Sequence, residues 1–320
     1  MLTADNFADK INQAIANIQY PANPAGLYQP IKYTLEGGGK RLRPLLLLAA
    51  CDAVSGDCNI AINQALAIEI FHNFTLLHDD VMDNADIRRG RPTVHRRWNN
   101  NTAILSGDAM LTMATQFLSK NAGDKLEKIL DIFNTTAMEI YEGQQYDVDF
   151  ENIRSVTVDE YIMMIKLKTS VLLGCACKIG ALMGNAPEQL ASMLYDYGVK
   201  LGLAFQLRDD YLDAYGDPLT FGKEIGGDIV NNKKTWLLIN ALNEDTTGRL
   251  EKALEQSNSR GEKIAEVKAI FESLDLPRRC VELINKYVAD AIEIIRESAL
   301  NDDAKDFFTN IALSTIERTH

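Results

Sequence analysis

The chain has 320 residues, 46% of them hydrophobic, and a formal net charge of −12. This length and apolar content suit a globular protein with a sizeable core, and the negative balance argues against a nucleic acid or an anionic membrane as partner. Any phosphate held by so acidic a chain needs local basic clusters or bridging cations.

Met1 to Lys10 contains Asp5 and Asp9 and no apolar core, so no signal peptide is expected. The first motif, Gly37-Gly38-Gly39-Lys40-Arg41-Leu42-Arg43-Pro44, reads as a basic loop opening a helix. Glycine lets backbone amides approach an anion, and a helix N-terminus adds partial positive charge. It is not a Walker A loop, because no Ser or Thr follows Lys40. Next, Ile62, Leu66, Ile70, Phe74 and Leu77 recur at helical spacing and lead into Asp79-Asp80-Val81-Met82-Asp83. Residues i and i+4 share a helix face, so Asp79 and Asp83 point the same way with Asp80 beside them. Such carboxylates repel one another unless cations intervene. Their hard oxygens suit Mg²⁺, which binds a few carboxylates and fills its shell with water and phosphate oxygens. Arg88, Arg89 and Arg91 follow directly; guanidinium forks match diphosphate oxygens, although arginines beside carboxylates also form plain ion pairs.

Pro92 is followed by no proline until Pro187, and Pro218 by none until Pro277, which favours long helices. Lys166-Leu167-Lys168-Thr169 lies within an apolar helical run, where its lysines can snorkel to solvent. The most apolar stretch, Val171 to Gly184, is interrupted by Lys178 and is shorter than the roughly 20 residues of a membrane span. Leu190, Leu194, Leu201 and Phe205 form a second stripe, ending in Asp209-Asp210-Tyr211-Leu212-Asp213. The glycine- and lysine-bearing segment after it, with Lys223, Lys233 and Lys234, has the makeup of an exposed connection or of a lid closing over an anion.

Breaks are expected at Asn23–Gly26, Gly37–Gly39, Arg88–Thr93, Gly184–Pro187, Tyr215–Asn232 and Leu274–Pro277, and the region from Glu244 onward reads as amphipathic helices. The five scattered cysteines form no metal or disulfide framework. Among the four histidines there is no His-Glu-x-x-His pattern, which excludes a zinc hydrolase of that type. The reading is all-α: one helical domain over residues 1–320, with two acidic helices facing across a central cavity.

These motifs, in this order, closely resemble the trans-isoprenyl diphosphate synthases, the head-to-tail polyprenyl synthetases. The matching segments are Gly38 to Pro44, Leu76 to Asp83 with Arg88-Arg89-Gly90, Lys168-Thr169, Phe205 to Asp213, and Gly222-Lys223 through Asp228 to Lys233 and Thr235. The resemblance implies the isoprenoid synthase-type helical bundle, a cytoplasmic homodimer with no membrane span, and condensation of isopentenyl diphosphate with an allylic diphosphate. It implies Mg²⁺, three ions per active site, on Asp79, Asp80, Asp83, Asp209 and Asp213. It places Arg88, Lys168, Thr169, Gln206, Lys223 and Lys233 at the allylic substrate, and Lys40, Arg43, His72 and Arg89 at isopentenyl diphosphate. Asp210, Lys168 and Lys223 join the metal-bearing aspartates as catalytic residues. The released diphosphate takes the proton, which fits the lack of an obvious protein base.

Product length in this family follows the bulk just before the first acidic motif. Phe74 stands five positions before Asp79 and Thr75 four, with no insertion in the motif, which resembles enzymes of short products, C20 ahead of C15. Phe74 also fits an ordinary core position. Two other readings fit the motifs less well. A class I terpene cyclase lacks the intact second aspartate motif and the Lys40–Arg43 loop, and a non-catalytic regulatory subunit typically loses one acidic cluster.

Overall fold

A computed structural model describes residues 3–153, 155–216, 225–255 and 259–317. The all-α expectation holds. Helices α1 (Ala4–Ala16), α2 (Ala25–Leu35), α3 (Leu42–Ser55) and α4 (Ile62–Met82) are followed by a hairpin of β1 (Ile87–Arg88) and β2 (Arg91–Pro92). Then come α5 (Val94–Arg97), α6 (Asn100–Ser119), α7 (Leu126–Asn152), α8 (Val158–Ile165), α9 (Val171–Met183) and α10 (Glu188–Tyr215). The remaining helices are α11 (Gly227–Val230), α12 (Trp236–Glu244), α13 (Arg249–Glu255), α14 (Arg260–Ser273), α15 (Leu276–Glu297) and α16 (Asp302–Glu317). The proline-free interval from Pro92 to Pro187 holds the long helices α6 and α7, as the sequence implies.

The chain divides into two compact units, which are taken separately: 1–134 with 175–195 and 299–304, and 135–174 with 196–298 and 305–320. The first unit is built on α4, which packs along its length against α6 and also against α3 and α1. The sequence suggested one apolar stripe on α4; instead every residue from Gln64 to Phe71 is buried, as for a helix enclosed on all sides. The segment Cys58–Met82 is long and apolar enough to span a membrane by composition, yet 67% of its 18-residue apolar window is buried inside the protein. Close helix contacts depend on two glycines. A Cβ on Gly107 of α6 would lie 2.1 Å from His78 Nε2, and one on Gly180 of α9 would lie 2.0 Å from the Leu47 carbonyl oxygen of α3. Gly180→Ala is expected to destabilise the protein by about 3 kcal/mol, because a backbone carbonyl cannot move aside as a side chain can. A thermal melt within 2 °C of the parent, against the several degrees such a loss predicts, would contradict this.

In the second unit, α15 shows a regular buried stripe of Cys280, Ile284, Val288, Ala291 and Ile295, the amphipathic helix foreseen for the C-terminal region. Tyr197 of α10 donates to the Phe308 carbonyl of α16 at 2.7 Å and is fully buried.

Candidate active site

The break expected at Arg88–Thr93 is a two-residue β-hairpin, with Ile87 paired to Pro92 and Arg88 to Arg91. Its turn residues Arg89 (φ 51°) and Gly90 (φ 71°) both have positive φ, the conformation that matches the twist of paired strands. The hairpin turns Arg88 back on the first acidic motif, where its Nε donates to Asp80 Oδ1 at 2.7 Å. Asp80 is 5% exposed, while Asp79 is half-buried and Asp83 exposed. Burial pushes the Asp80 carboxyl up in pKa, and the neighbouring Arg88 opposes that shift.

The glycine loop meets the same hairpin. Gly38 and Gly39 have φ of 77° and 124°, and a Cβ on Gly39 would lie 2.8 Å from the Arg89 guanidinium carbon, so only glycine fits there. Arg89 Nη1 donates to the Gly38 carbonyl. As expected, the loop opens a helix: Arg41 caps α3, in the left-handed region at φ 49°. Such a conformation costs an arginine about 1 kcal/mol and persists when the surroundings hold it. Arg41 is 5% exposed, ion-paired to Glu69 and hydrogen-bonded to the Leu35 carbonyl at 2.7 Å. Lys40 is exposed and Arg43 half-buried. A small pocket lies among Gly37, Asn73, Asp80, Arg88, Arg89 and Arg91. The excess of acid over base in the whole chain thus hides a concentrated cationic patch.

Arg43 Nη1 lies 3.3 Å from His72 Nε2. Arginine only donates, so this nitrogen accepts and the imidazole is neutral. Burial and then Arg43, Arg89, Arg88 and Arg41 hold the His72 pKa well below its usual value. Below about pH 6.5 the unfolded chain therefore binds a proton that the folded protein does not, and stability falls as pH falls. His72→Gln is expected to flatten the loss of stability between pH 6.5 and 5 by up to about 1.4 kcal/mol per pH unit. Parallel pH–stability curves for parent and variant would contradict it. On the same helix, Thr75 Oγ1 donates to the His72 carbonyl at 2.8 Å. Phe74 is 6% exposed, its ring 5.6 Å from that of Phe71 and 4.8 Å from that of His78.

In the second unit, Lys168 and Thr169 sit in a π-helical segment, Lys166–Ser170, rather than in a plain α-helix. A residue inserted into the ladder re-aims side chains, and such segments recur at functional sites. Lys168 does not simply snorkel to water: its ammonium is ion-paired with Asp147. Thr169 Oγ1 donates to Gln206 Oε1 at 3.0 Å, and Gln206 Nε2 donates to Asp210 Oδ1 at 2.8 Å. The other Asp210 oxygen accepts from the Tyr161 hydroxyl at 2.5 Å. Asp210 is buried, which pushes its pKa up to about 7, partly offset by Lys233. Asp209 and Asp213 are half-buried; Asp213 Oδ2 accepts from the Asp228 amide at 2.9 Å, and Lys233 Nζ lies 3.9 Å from Asp228 Oδ1. Lys223 lies outside the described residues.

Sequence reasoning passed over Glu69, Asn73, Asp147 and Tyr161, and saw Arg41 only as one cation of the basic loop. Glu69 and Asn73 did carry a signal, as polar residues four apart inside an apolar run. Asp80 follows Glu69 by eleven positions (80 − 69), close to three helical turns, so one polar line runs along α4. Among the described residues no three His, Cys, Asp or Glu side chains converge to hold a metal ion by themselves. The donors at the two motifs are all carboxylate oxygens, the hard ligands that Mg²⁺ takes when substrate phosphates and water complete its shell. The set fits that ion.

An all-helical protein with two carboxylate motifs on helices and a cationic pocket beside one of them belongs to the class that handles diphosphate esters. The polyprenyl synthetase model matches residues 24–274. The geranylgeranyl diphosphate synthase of Methanosarcina mazei is 40% identical over 260 residues, 79% of this chain and 80% of that protein. A crystallised geranylgeranyl pyrophosphate synthase is 44% identical with a TM-score of 0.93, covering 99% of both chains. That of Corynebacterium glutamicum, solved with isoprenyl diphosphate and magnesium, is 25% identical with a TM-score of 0.86 over 98% of each chain. The chain belongs to the polyprenyl synthetase family, and it is a prenyl-transferring enzyme.

Proposed function

We propose that the protein condenses isopentenyl diphosphate with an allylic diphosphate to a short all-trans prenyl diphosphate, C20 ahead of C15, as a cytoplasmic homodimer in which residues 1–320 act as one catalytic domain. The observation that carries this reading is the juxtaposition, within one unit, of the Asp79–Asp83 carboxylates and a pocket lined by Arg88, Arg89 and Arg91. One diphosphate suits carboxylate-held cations, and a second suits guanidinium groups directly.

Asp79, Asp80 and Asp83, with Asp209 and Asp213, hold three Mg²⁺ ions in this reading. When bound, Mg²⁺ neutralises charge developing on the departing diphosphate. Lys168, Lys223 and Lys233, with Arg88, Thr169 and Gln206, grip the allylic substrate and add fixed positive charge or hydrogen bonds. Asp210 keeps Gln206 in place through its hydrogen bond. Lys40, Arg43, His72 and Arg89 bind isopentenyl diphosphate and present its double bond to the allylic carbon; positioning of this kind supplies much of the rate advantage. The C–O bond of the allylic ester breaks, the new C–C bond forms, and the proton lost passes to the released diphosphate. Neutral His72 serves as a hydrogen-bonding partner of Arg43. Phe74 closes the path of the growing tail, and the names of the relatives favour C20.

The test is incubation with Mg²⁺, labelled isopentenyl diphosphate and, separately, dimethylallyl, geranyl and farnesyl diphosphates, with products dephosphorylated and sized by mass. Elongation that stops at C20, vanishes in excess EDTA and returns with added Mg²⁺ is the expected result. No elongation from any starter would overturn the reading.

A further inference from the structure

The polar line on α4 does something that the substrate-contacting residues alone do not explain. Glu69 is 2% exposed and Asn73 1%, so both are sealed in the first unit. Asn73 Nδ2 donates to the Glu69 carbonyl oxygen and to Glu69 Oε1, each at 2.8 Å. Both amide hydrogens are thereby used, which settles the side-chain orientation and leaves Asn73 Oδ1 as the acceptor facing Arg89 Nη1 at 3.4 Å. Glu69 Oε1 also accepts from Arg41, the residue that caps α3 at the end of the glycine loop. A single buried carboxylate therefore fixes two things: the cap of the loop, and the amide that orients Arg89, which in turn donates to Gly38 of the loop. Replacing a buried charge of this kind by an apolar residue would leave Arg41 uncompensated, which explains a glutamate at this depth.

We propose that Asn73, locked by Glu69, is a positioning residue that sets Arg89 for the metal-independent diphosphate pocket. It acts through Arg89: it fixes the guanidinium before the ligand arrives, so that less ordering is needed on binding. The proposal rests on the reading of Arg89 as a diphosphate ligand, and the experiment separates the two.

Binding of inorganic diphosphate without divalent metal is measured by calorimetry for the parent, Asn73→Ala, Arg89→Ala and the double variant. Kinetics with isopentenyl and allylic diphosphates are run alongside. Asn73→Ala is expected to weaken diphosphate about tenfold and to raise KM for isopentenyl diphosphate by a similar factor. Its kcat and its KM for the allylic substrate should stay within about twofold, and adding Asn73→Ala to Arg89→Ala should change nothing further. Additive losses in the double variant, or equal rises in both KM values, would show a general structural role and overturn the proposal. An unchanged diphosphate affinity in Arg89→Ala would overturn the ligand assignment and the proposal with it. If no starter is elongated, the synthase reading falls, while the calorimetric cycle still decides the positioning role. Should Asn73→Ala fold poorly, the near-isosteric Asn73→Leu keeps the volume and removes the oxygen that faces Arg89. The same selective rise in KM for isopentenyl diphosphate is then expected, and its absence in the folded Leu variant counts against the proposal.

Discussion

Asp79→Ala is expected to lower kcat by at least about a thousandfold while leaving the protein folded. Removing one preorganised electrostatic contact to a developing anion typically costs about a hundred- to a thousandfold. Losing a carboxylate that anchors a cation removes more, because the charge of the ion goes with it. Asp79 is half-buried in the last turn of α4, so its truncation opens no core. Relief of repulsion with Asp83, four positions on, leaves stability level or slightly higher. The affinity for inorganic diphosphate without metal, which depends on the arginine pocket, should be unchanged. Steady-state turnover and a thermal melt measure both sides. A kcat within tenfold of the parent would remove Asp79 from the ionisation step.

Phe74→Ala is expected to change two properties at once. Phe74 is 6% exposed and its ring is packed against Phe71 and His78. Deleting so buried a ring costs about 3–5 kcal/mol in lost transfer energy and cavity formation. The same deletion removes bulk five positions before Asp79, so products should extend beyond those of the parent by one or more five-carbon units. The core and tail-limiting roles are compatible, since one face of a ring can pack while its edge limits a chain. Product sizing must be done well below the variant's melting temperature, and Phe74→Leu should give a smaller change in both. A destabilised enzyme with an unchanged product set would leave Phe74 as core packing alone.

The local environment of the motifs explains why only part of the site was readable. Asp79, Asp83, Asp209 and Asp213 stand out in the sequence because helical spacing is a local property: once an apolar run has period 3.6, the face of every residue in it follows. The glycine loop was legible for the same reason, since Gly38 and Gly39 mark backbone conformations that other residues avoid. Arg89 was readable as a cation but not as a turn residue, because arginine has no preference for positive φ. Snorkelling was an open reading of Lys168 beside a substrate-binding one; its ion pair with Asp147, 21 positions earlier, and its π-helical setting are fixed only on folding.

The sequence by itself determined the helical class, the acidic and basic motifs and the residue types fit for diphosphate chemistry, because these depend on composition and on spacing within one element. Tertiary structure alone decided which oxygens are committed: Asp80 to Arg88, Asp210 to Tyr161 and Gln206, Glu69 to Arg41 and Asn73. It also decided that burial and the neighbouring arginines hold the His72 pKa well below its usual value, and that an acidic chain carries a concentrated cationic pocket. The physical reason is that burial and partnership are set by chain segments brought together on folding, and a charge changes its meaning with the dielectric and the neighbour it meets there.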